Sequence, residues 1–312
     1  MSASATADRF DAEVVAAFGR HLLVRAAGAQ PMRARPAGRK LSIVCGDRVR
    51  CEVDRKHDEV LIVEVLPRRT LLARANLRGM SEPVVANITQ LVVVIAPVPQ
   101  PDFFIVDRYL CAATAAGIAA SIAVNKSDLG ADNVAQEELA ALDAAGYTHL
   151  NCSATVGAGL AELKALLAKG ISVMVGQSGV GKSSLVNALL PGVDIETGGL
   201  MREEKGRHTT TASRAYPLES GGTLIDSPGV RDFAPAIEQL DAQTLGFPEV
   251  DRLAPGCRFK DCRHMQEPGC AVIAAVESGA LIARRYESYR RLRRRFSDLV
   301  EARGPASRNR RS

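Results

Sequence analysis

A glycine-rich segment, GQSGVGKS (176–183), has the residue types and spacing of a phosphate-binding loop, G-x-x-x-x-G-K-[S/T]. It follows an apolar run that predicts a strand (171–176) and precedes a stretch that predicts a helix. Glycines let backbone N–H groups surround a phosphate, and the positive end of the helix faces the same anion. We expect Lys182 to reach the β- and γ-phosphates and Ser183 to ligate Mg²⁺. A chance glycine-rich turn is the alternative, which the flanking strand and helix disfavour. The predicted phosphate-contacting residues are Gly176, Gln177, Ser178, Gly179, Val180, Gly181, Lys182, Ser183 and Ser184.

A second motif, NKSD (125–128), predicts which base the site takes. Asp128 can accept two hydrogen bonds from guanine, at N1–H and at the N2 amino group, and adenine lacks this pair of donors. A site that leaves buried polar groups unpaired rejects the wrong base by roughly 10⁴ or more. We expect Asn125 to brace the phosphate-binding loop and Lys126 to cover the base. A turn with a helix N-cap is the alternative, which the presence of the phosphate-binding loop disfavours.

A short segment, NCSA (151–154), follows one helix and one strand after Asp128, where a guanine site needs it. We expect Ser153 and Ala154 to offer backbone N–H groups to the guanine O6 atom. The segment has no weight by itself and gains it from its position. The predicted base-contacting residues are Asn125, Lys126, Ser127, Asp128, Ser153 and Ala154.

The segment DSPG (226–229) directly follows a predicted strand, 223–225. An Asp at the end of a strand can hold Mg²⁺ through water, and a glycine N–H can sense the γ-phosphate, so we assign these roles to Asp226 and Gly229. The next residue is Val230, where Ras-like proteins have a glutamine that orients the attacking water. A valine cannot do this, so another polar group or a partner must.

Between these motifs lies KGRHTTT (205–211), in which a threonine should close over Mg²⁺ and the γ-phosphate in the GTP state. We favour Thr210, with Thr209 as second choice. His208 is the nearest candidate in sequence to orient water, but an exposed loop residue or an RNA contact is an equal alternative. The predicted catalytic residues are Lys182, Thr210 and His208, and the predicted Mg²⁺ residues are Ser183, Thr210 and Asp226.

Four residues with metal-ligand chemistry crowd into GCRFKDCRHMQEPGC (256–270). Three thiolates and one imidazole make a closed tetrahedral set for a structural Zn²⁺ ion, with no open position for catalysis. The alternative is three buried thiols and a surface histidine. The predicted ligands are Cys257, Cys262, His264 and Cys270. The remaining cysteines lie in apolar or strand-like stretches and are predicted to be ordinary buried thiols; they are Cys45, Cys51, Cys111 and Cys152.

Composition limits the class of protein. The chain has 312 residues, of which 46% are hydrophobic, enough to bury cores in two or three domains. The net charge is +5, yet residues 281–312 alone hold eleven arginines against three acidic residues. This basic segment predicts a polyanion partner, with a solvated helix as the alternative. No long uncharged apolar run and no signal-peptide pattern are present, so we expect a cytoplasmic chain without a membrane span.

The pattern of apolar residues predicts three domains between two unstructured ends. Strands at 48–53 and 59–67 indicate a small all-β barrel, with a loop in the arginine-rich stretch around Pro31 and Pro36. Strands then alternate with helices, which indicates a parallel sheet with helices on both faces. The predicted elements there are strands 91–98, 118–124, 148–152, 171–176 and 223–225 and helices 102–116, 134–145 and 157–168. A further helix is predicted at 270–284. The predicted segments are an unstructured 1–12, a barrel at 13–80, a GTP-binding domain at 81–235, a helical zinc-binding domain at 236–300 and a basic tail at 301–312.

The order of the motifs is unusual, because the base-reading segments (125–128 and 151–154) precede the phosphate-binding loop. In the Ras-like order that loop comes first. Strand ends can still converge on one ligand, since binding at the carboxyl edge of a parallel sheet depends on space and not on chain order. The predicted fold class is therefore a circularly permuted α/β P-loop GTPase domain. Its switch segments come last and run directly into the cysteine cluster, which predicts that the C-terminal domain senses the nucleotide state.

These motifs together resemble the bacterial ribosome small subunit-dependent GTPase A family (RsgA, also called YjeQ). The resemblance covers nearly the whole chain, and it is strongest at KGRHTTT, at DSPGVRDF (226–233) and at the C-x₄-C-x-H-x₅-C string (257–270). It implies an N-terminal OB-like barrel, GTP contacts at 125–128 and 176–184, and Zn²⁺ at the four ligands named above. It also implies a late-acting assembly factor on the small ribosomal subunit and its rRNA, acting as a monomer, whose GTP hydrolysis the subunit stimulates and whose release follows hydrolysis.

Two other functional classes remain compatible with the residues. One is a GTP-gated rRNA-binding module in which turnover is incidental. The other is a P-loop protein that traffics a metabolite or a metal, which also needs zinc ligands. The guanine-reading motif at 125–128 and the barrel count against the class that traffics a metabolite or a metal.

Overall fold

The computed structural model describes residues 9–302, except for 20, 39–40, 55–56, 58, 76–80, 131–135, 193–212, 228–239 and 241, with the backbone alone for 300–302. These residues form a β-barrel, an α/β domain and a helical C-terminal domain. In the described part, no helix is both long enough and apolar enough to span a membrane.

Five strands close into the predicted N-terminal barrel. They are β1 (Arg9–Phe18), β2 (His21–Arg25), β3 (Met32–Pro36), β4 (Arg48–Asp54) and β5 (Glu59–Val65). Their order is β1-β2-β3-β5-β4, and β4 pairs back onto β1 to close the ring. This is the topology of an OB-like barrel. Alternating inward residues fill it, among them Val14, Val24, Val49 and Ile62.

Two sequence predictions for the barrel are wrong. Residues 9–12 are not unstructured, because β1 begins at Arg9 and pairs with β4 from that residue onwards. The stretch around Pro36 is not a loop but strand β3. Ala34 points into the core between exposed Arg33 and Arg35, so the arginines occupy the solvent face of a half-buried strand. Pro36 ends the strand, where a missing N–H does least harm.

A two-stranded hairpin of β6 (Leu71–Ala75) and β7 (Ser81–Ala86) leads from the barrel into the next domain. The predicted domain boundary at residue 80 lies within this hairpin. Because β6 and β7 pair with each other, the hairpin forms one unit, and residues 66–70 mark the end of the barrel more naturally.

The α/β domain is built as the alternation of strands and helices predicts. Its strands are β8 (Gln90–Ile95), β9 (Ala119–Val124), β10 (Thr148–Asn151), β11 (Ile171–Val175), β12 (Ser213–Pro217) and β13 (Thr223–Asp226). Its helices are α1 (Phe103–Ala115), α2 (Gln136–Ala145), α3 (Leu160–Leu167) and α4 (Lys182–Leu189). Strands β10-β9-β8-β11-β13 are parallel, and β12 is antiparallel to β13.

The α/β sheet continues into the barrel. Strand β12 pairs with β1, with Ala16 opposite Arg214 and Ala17 opposite Ser213. One eleven-stranded sheet therefore includes both domains. This pairing gives the barrel a direct backbone connection to the strand that follows residues 193–212.

The C-terminal domain contains α5 (Pro248–Leu253), α6 (Ala271–Glu277) and α7 (Ala283–Ala302). The helix predicted at 270–284 is therefore two helices, interrupted at 278–282. Gly279 has φ +76°, a backbone conformation that glycine adopts without a steric penalty, and this ends α6. Helix α7 also passes the predicted boundary at residue 300 by two residues.

Candidate guanine-nucleotide site and metal centre

The phosphate-binding loop connects β11 to α4, as predicted. Gly176 has φ +145° and Gly181 has φ +91°. A Cβ atom at Gly176 would come within 2.2 Å of the Val94 carbonyl oxygen, and one at Gly181 within 2.4 Å of Asn125 Nδ2. Glycine is therefore required at both positions, because the loop lies directly against the ends of β8 and β9.

Lys182 begins α4 and is almost fully buried. Its Nζ donates 2.7 Å hydrogen bonds to the carbonyl oxygens of Gly176 and Gln177. The ammonium group therefore lies over the loop itself. This is the position from which a lysine of this loop reaches the outer phosphates of a nucleotide.

Asn125 connects the three loops of the site. It is 1% exposed, and its Nδ2 donates to the Val180 carbonyl over 2.9 Å. Its Oδ1 accepts from the Ala154 N–H over 3.1 Å. The bracing hydrogen bond that the sequence predicted between Asn125 and the phosphate-binding loop is present, and the same side chain also fixes the segment after β10.

Lys126 bridges two loops at the edge of the site. Its Nζ donates 2.7 Å hydrogen bonds to the carbonyl oxygens of Val98 and Gly179. The residue has φ +59°, which a side chain rarely adopts. The two hydrogen bonds stretch the aliphatic part of the side chain across the space between the phosphate-binding loop and Asp128.

Asp128 is exposed and is held by one neighbour. The hydroxyl of Ser153, a fully buried residue, donates to Asp128 Oδ1 over 2.5 Å. The N–H groups of Thr155 and Val156 donate to the same hydroxyl oxygen at 3.3 Å, which orients it. The Ser153 side chain therefore positions the carboxylate, a role that the sequence analysis missed when it assigned Ser153 only a backbone contact.

Some of the remaining predicted site residues have a described position, and the others lie outside the described part of the chain. Asp226 ends β13, the strand next to β11, so it lies at the same carboxyl edge as Ser183 in the first turn of α4. Ser127 lies in a short turn after β9, and Gln177 Oε1 accepts from the N–H of Asp102 at the start of α1. His208, Thr209, Thr210, Gly229 and Val230 lie outside the described residues.

Cys257, Cys262, His264 and Cys270 converge, and their ligand atoms all lie within 4.8 Å of one another. Cys257 Sγ is 3.5 Å from His264 Nδ1 and 3.9 Å from Cys270 Sγ. His264 Nδ1 and Cys270 Sγ are 3.4 Å apart. Zn²⁺ bonds of about 2.3 Å to sulfur and about 2.0 Å to nitrogen at tetrahedral angles place ligands about 3.5–3.8 Å apart. The four residues thus fit a metal ion, with Nδ1 as the histidine ligand.

The loop between two of the ligands is closed by a carboxylate. Glu267 accepts hydrogen bonds from the backbone N–H groups of Arg263, Met265 and Gln266, at 2.8–3.0 Å. Burial raises the pKa of Glu267, but these N–H groups outweigh that effect and lower the pKa to about 2. Tyr286 also donates to the His264 carbonyl over 2.8 Å, which ties the loop to α7.

The other four cysteines are buried and free, as the sequence predicted. Burial raises the pKa of Cys51 and of Cys152 to about 11, and of Cys45 to about 12. These thiols are protonated at neutral pH and are not nucleophiles or metal ligands.

The contact between the α/β domain and the C-terminal domain was not visible in the sequence. Arg285 is 1% exposed and pairs with Glu249 in α5, at 2.6 and 3.0 Å, and with Asp107 in α1. Arg284 pairs with the other Asp107 oxygen and with Glu138 in α2, at 2.6 Å. Burial lowers the pKa of Arg285, but the Asp107 and Glu249 carboxylates outweigh this and raise it. Asp107 is therefore the centre of a buried ion-pair network between the two domains.

The site and the sheet order together define a class of protein. Asn125, Lys126 and Asp128 follow β9, Ser153 follows β10, and the phosphate-binding loop follows β11. All three loops meet at one carboxyl edge, which is where nucleotides bind in open α/β sheets. This arrangement is that of a P-loop GTPase whose chain order is circularly permuted.

Comparisons with known proteins agree with this class. A family model described as RsgA GTPase matches residues 65–235, which include the hairpin and the whole α/β domain. The small ribosomal subunit biogenesis GTPase RsgA of Azotobacter vinelandii is 45% identical over 260 residues, covering 80% of this chain and 74% of the relative. The protein of the same name from Pseudomonas aeruginosa (strain LESB58) is 42% identical over 284 residues, covering 90% and 84%. This chain belongs to the RsgA GTPase family, and it is a GTP hydrolase.

Solved structures share the fold over almost the whole chain. The crystal structure of YjeQ from Thermotoga maritima matches with a TM-score of 0.70 and 28% identity, covering 93% of this chain and 99% of that one. YloQ, described as a circularly permuted GTPase, matches with a TM-score of 0.68, covering 96% and 99%. At 23% identity the second likeness speaks for the fold alone.

Proposed function

We propose that this chain binds the small ribosomal subunit and acts late in its maturation, hydrolysing GTP to GDP and phosphate when the subunit stimulates it, and that hydrolysis drives its release. The observation that carries the proposal is the assembled guanine site, in a chain 45% identical to a small ribosomal subunit biogenesis GTPase. The proposed place of action is the cytoplasm, and the proposed acting form is a monomer.

The proposed nucleotide contacts follow from the loop geometry. Asp128, held by Ser153, accepts from guanine N1–H and N2, and the Lys126 stem covers the base. In the structure the Ser153 N–H donates to the Ala158 carbonyl and the Ala154 N–H donates to Asn125 Oδ1, so a contact with guanine O6 requires these donors to be shared. The loop 176–184 surrounds the phosphates. Lys182 exchanges its two carbonyl partners for β- and γ-phosphate oxygens. Mg²⁺ at Ser183 and Asp226 would neutralise charge that develops on the phosphates.

The remaining roles in catalysis are assigned to residues 205–211 and 226–229. We assign closure over the γ-phosphate to Thr210 and sensing of that phosphate to Gly229. Val230 has no group that orients water, so His208 or a group of the subunit must do so. Stimulation by the subunit fits this gap, because a partner that adds a polar group completes the site only when it is bound.

The other domains are assigned to binding. The barrel of residues 9–65 and some of the arginines of helix α7 are proposed to contact rRNA, since phosphate contacts need arginine and lysine. The C-terminal domain is proposed to hold one structural Zn²⁺ ion at Cys257, Cys262, His264 and Cys270. Its loops are then rigid enough to present α7 to a partner.

Nucleotide-gated association tests the proposal. Small subunits are sedimented with the protein in a non-hydrolysable GTP analogue or in GDP. We expect retention with the analogue and release with GDP. Equal retention with both nucleotides would contradict release by hydrolysis.

The His208→Ala variant separates the enzyme from a GTP-gated binding module in which turnover is incidental. If hydrolysis slows and subunit binding and release in GTP do not change, turnover is incidental. If the variant stays on the subunit in GTP, hydrolysis is the release step.

A further inference from the structure

Helix α7 packs along α1, and the acidic groups between them are already used. Asp107 and Glu138 pair with Arg284 and Arg285 at the first turn of α7. Two turns further along α7 the contacts change, because Arg291 and Arg295 lie opposite α1 there. These two arginines face Arg108 of α1 across the gap between the helices.

The three arginines line a cavity of about 200 Å³ at the domain interface. The Arg291 guanidinium lies 3.7 Å from the centre of the Phe104 ring, which fixes its position, and its Nε donates to Glu287 over 3.2 Å. Asp102 is the exposed acidic group of the cavity, and its Oδ1 accepts from the Phe104 N–H. The cavity therefore has more positive than negative charge that is not already paired.

Arg108 is only partly compensated, by the nearby Asp102 carboxylate. Its Nε is buried and has no hydrogen-bond partner among the described residues. Burial and the nearby Arg295 guanidinium both lower the pKa of Arg108. A buried donor without a partner costs free energy in the folded chain, so an anion that accepts from Arg108 would offset part of this cost.

We propose that Arg108, Arg291 and Arg295 form a binding site for an RNA phosphodiester group, at the interface of the α/β and C-terminal domains. The proposal rests on the function proposed above and names part of its RNA-contacting surface. Guanidinium groups from two helices, α1 and α7, line one cavity of about 200 Å³, and such groups bind phosphate oxygens through paired, charge-assisted hydrogen bonds. An acidic protein segment is the alternative occupant, and the crosslinking experiment below distinguishes it from RNA.

The site also lies close to the nucleotide. Asp102, which lines the cavity, donates its backbone N–H to Gln177 Oε1 of the phosphate-binding loop over 2.9 Å. An RNA phosphate bound here therefore contacts residues one hydrogen bond away from the loop that holds GTP.

The test measures binding of small subunits, with the non-hydrolysable GTP analogue, as a function of salt. Arg295→Gln is compared with Arg294→Gln, an adjacent exposed arginine that does not line the cavity. Each phosphate contact contributes about 0.7–0.9 to the slope of log K against log salt. We expect Arg295→Gln to reduce the slope by about that amount and Arg294→Gln to leave it nearly unchanged.

A second variant separates a binding role from a structural one. Arg108→Met removes the unpartnered buried donor, so we expect a melting temperature higher by about 2–4 °C together with weaker subunit binding. A variant that is less stable, or that binds as tightly as the unaltered chain, overturns the assignment of Arg108.

A crosslinking experiment identifies whether the group bound at this site is rRNA or protein. Arg295→Cys with a thiol-attached photoreactive group should crosslink to rRNA, and a crosslink to ribosomal protein alone would overturn the RNA assignment. If the unaltered chain does not bind small subunits at all, the proposed function fails. If it binds but the Arg295 and Arg294 variants behave alike, only this site fails.

Discussion

At the scale of single residues, the proposed base-reading site is organised by two buried side chains. Asn125 joins the phosphate-binding loop to the segment after β10, and Ser153 holds the Asp128 carboxylate in place. Both side chains are held by protein groups, so we expect the position of the Asp128 carboxylate to be largely fixed before a nucleotide binds.

Replacing the Asp128 carboxylate, the proposed hydrogen-bond acceptor for guanine, should change which base the site prefers. Asp128→Asn replaces an oxygen that accepts from the guanine N2 amino group by an amide that also donates. One of the two hydrogen bonds loses its acceptor and the other loses the negative charge that strengthens it, so we expect GTP affinity to fall by at least about 100-fold. Xanthosine triphosphate, which has a carbonyl in place of the amino group, should bind better than to the unaltered chain.

Fluorescent-nucleotide titration measures both affinities. The control is Asp143→Asn, an exposed aspartate in α2 bonded to His149. If Asp128→Asn keeps its preference for GTP, Asp128 does not contact the base.

At the scale of elements, the loop of the candidate metal centre (257–270) is held in shape by hydrogen bonds from its own backbone N–H groups. Three N–H groups converge on Glu267 between His264 and Cys270, and the Ala271 N–H donates to Cys257 Sγ over 3.4 Å. These hydrogen bonds position the ligands before a metal ion binds. Groups that orient ligands in this way typically change metal affinity by about 10–100-fold.

Removing the carboxylate that closes the loop should therefore weaken zinc binding. We expect Glu267→Ala to lower Zn²⁺ affinity by about 10–100-fold, while Gln266→Ala, its exposed neighbour, leaves it unchanged. Competition with a chromogenic chelator measures this directly, and Cys270→Ala should abolish binding. Equal affinities for Glu267→Ala and Gln266→Ala would show that the carboxylate has no part in ligand positioning.

The sequence predicted most elements of the α/β domain to within a few residues, because strands buried on both faces and the loops between them have strong signals. It failed where the signal was local and ambiguous. Strand β3 alternates arginine and alanine around a proline, which imitates a loop, and Gly279 divides an alanine-rich stretch that looks like one helix. The convergence of the four candidate metal ligands was predictable, since their side-chain types are rare and closely spaced.

At the scale of the whole molecule, the α/β domain has two connections to its neighbours. Strand β12 pairs with β1 of the barrel, and α1 binds the C-terminal domain through Asp107. Asp107 and Arg285 are 178 residues apart in the chain. No local pattern could have predicted their contact, which depends on how α1, α5 and α7 pack. The barrel is thus connected to the nucleotide domain as directly as the C-terminal domain is.

Breaking the ion-pair network should loosen the C-terminal domain. Asp107→Asn leaves the buried Arg285 and the half-buried Arg284 without their shared carboxylate, and the loss of one partner of a buried pair costs about 3–5 kcal/mol. We expect faster amide hydrogen exchange in α7 and a smaller stimulation of GTP hydrolysis by small subunits, with intrinsic hydrolysis unchanged. Asp143→Asn is the matched control, and α7 exchange that equals this control would contradict the role of Asp107.

The most direct test of the account is phosphate release from GTP by the protein alone, with small subunits, and with an equal concentration of large subunits. Lys182→Ala serves as the inactive control, since Lys182 begins the helix after the phosphate-binding loop. The account predicts slow release by the protein alone and a rate with small subunits well above that with large subunits. Equal rates with the two subunits would contradict it.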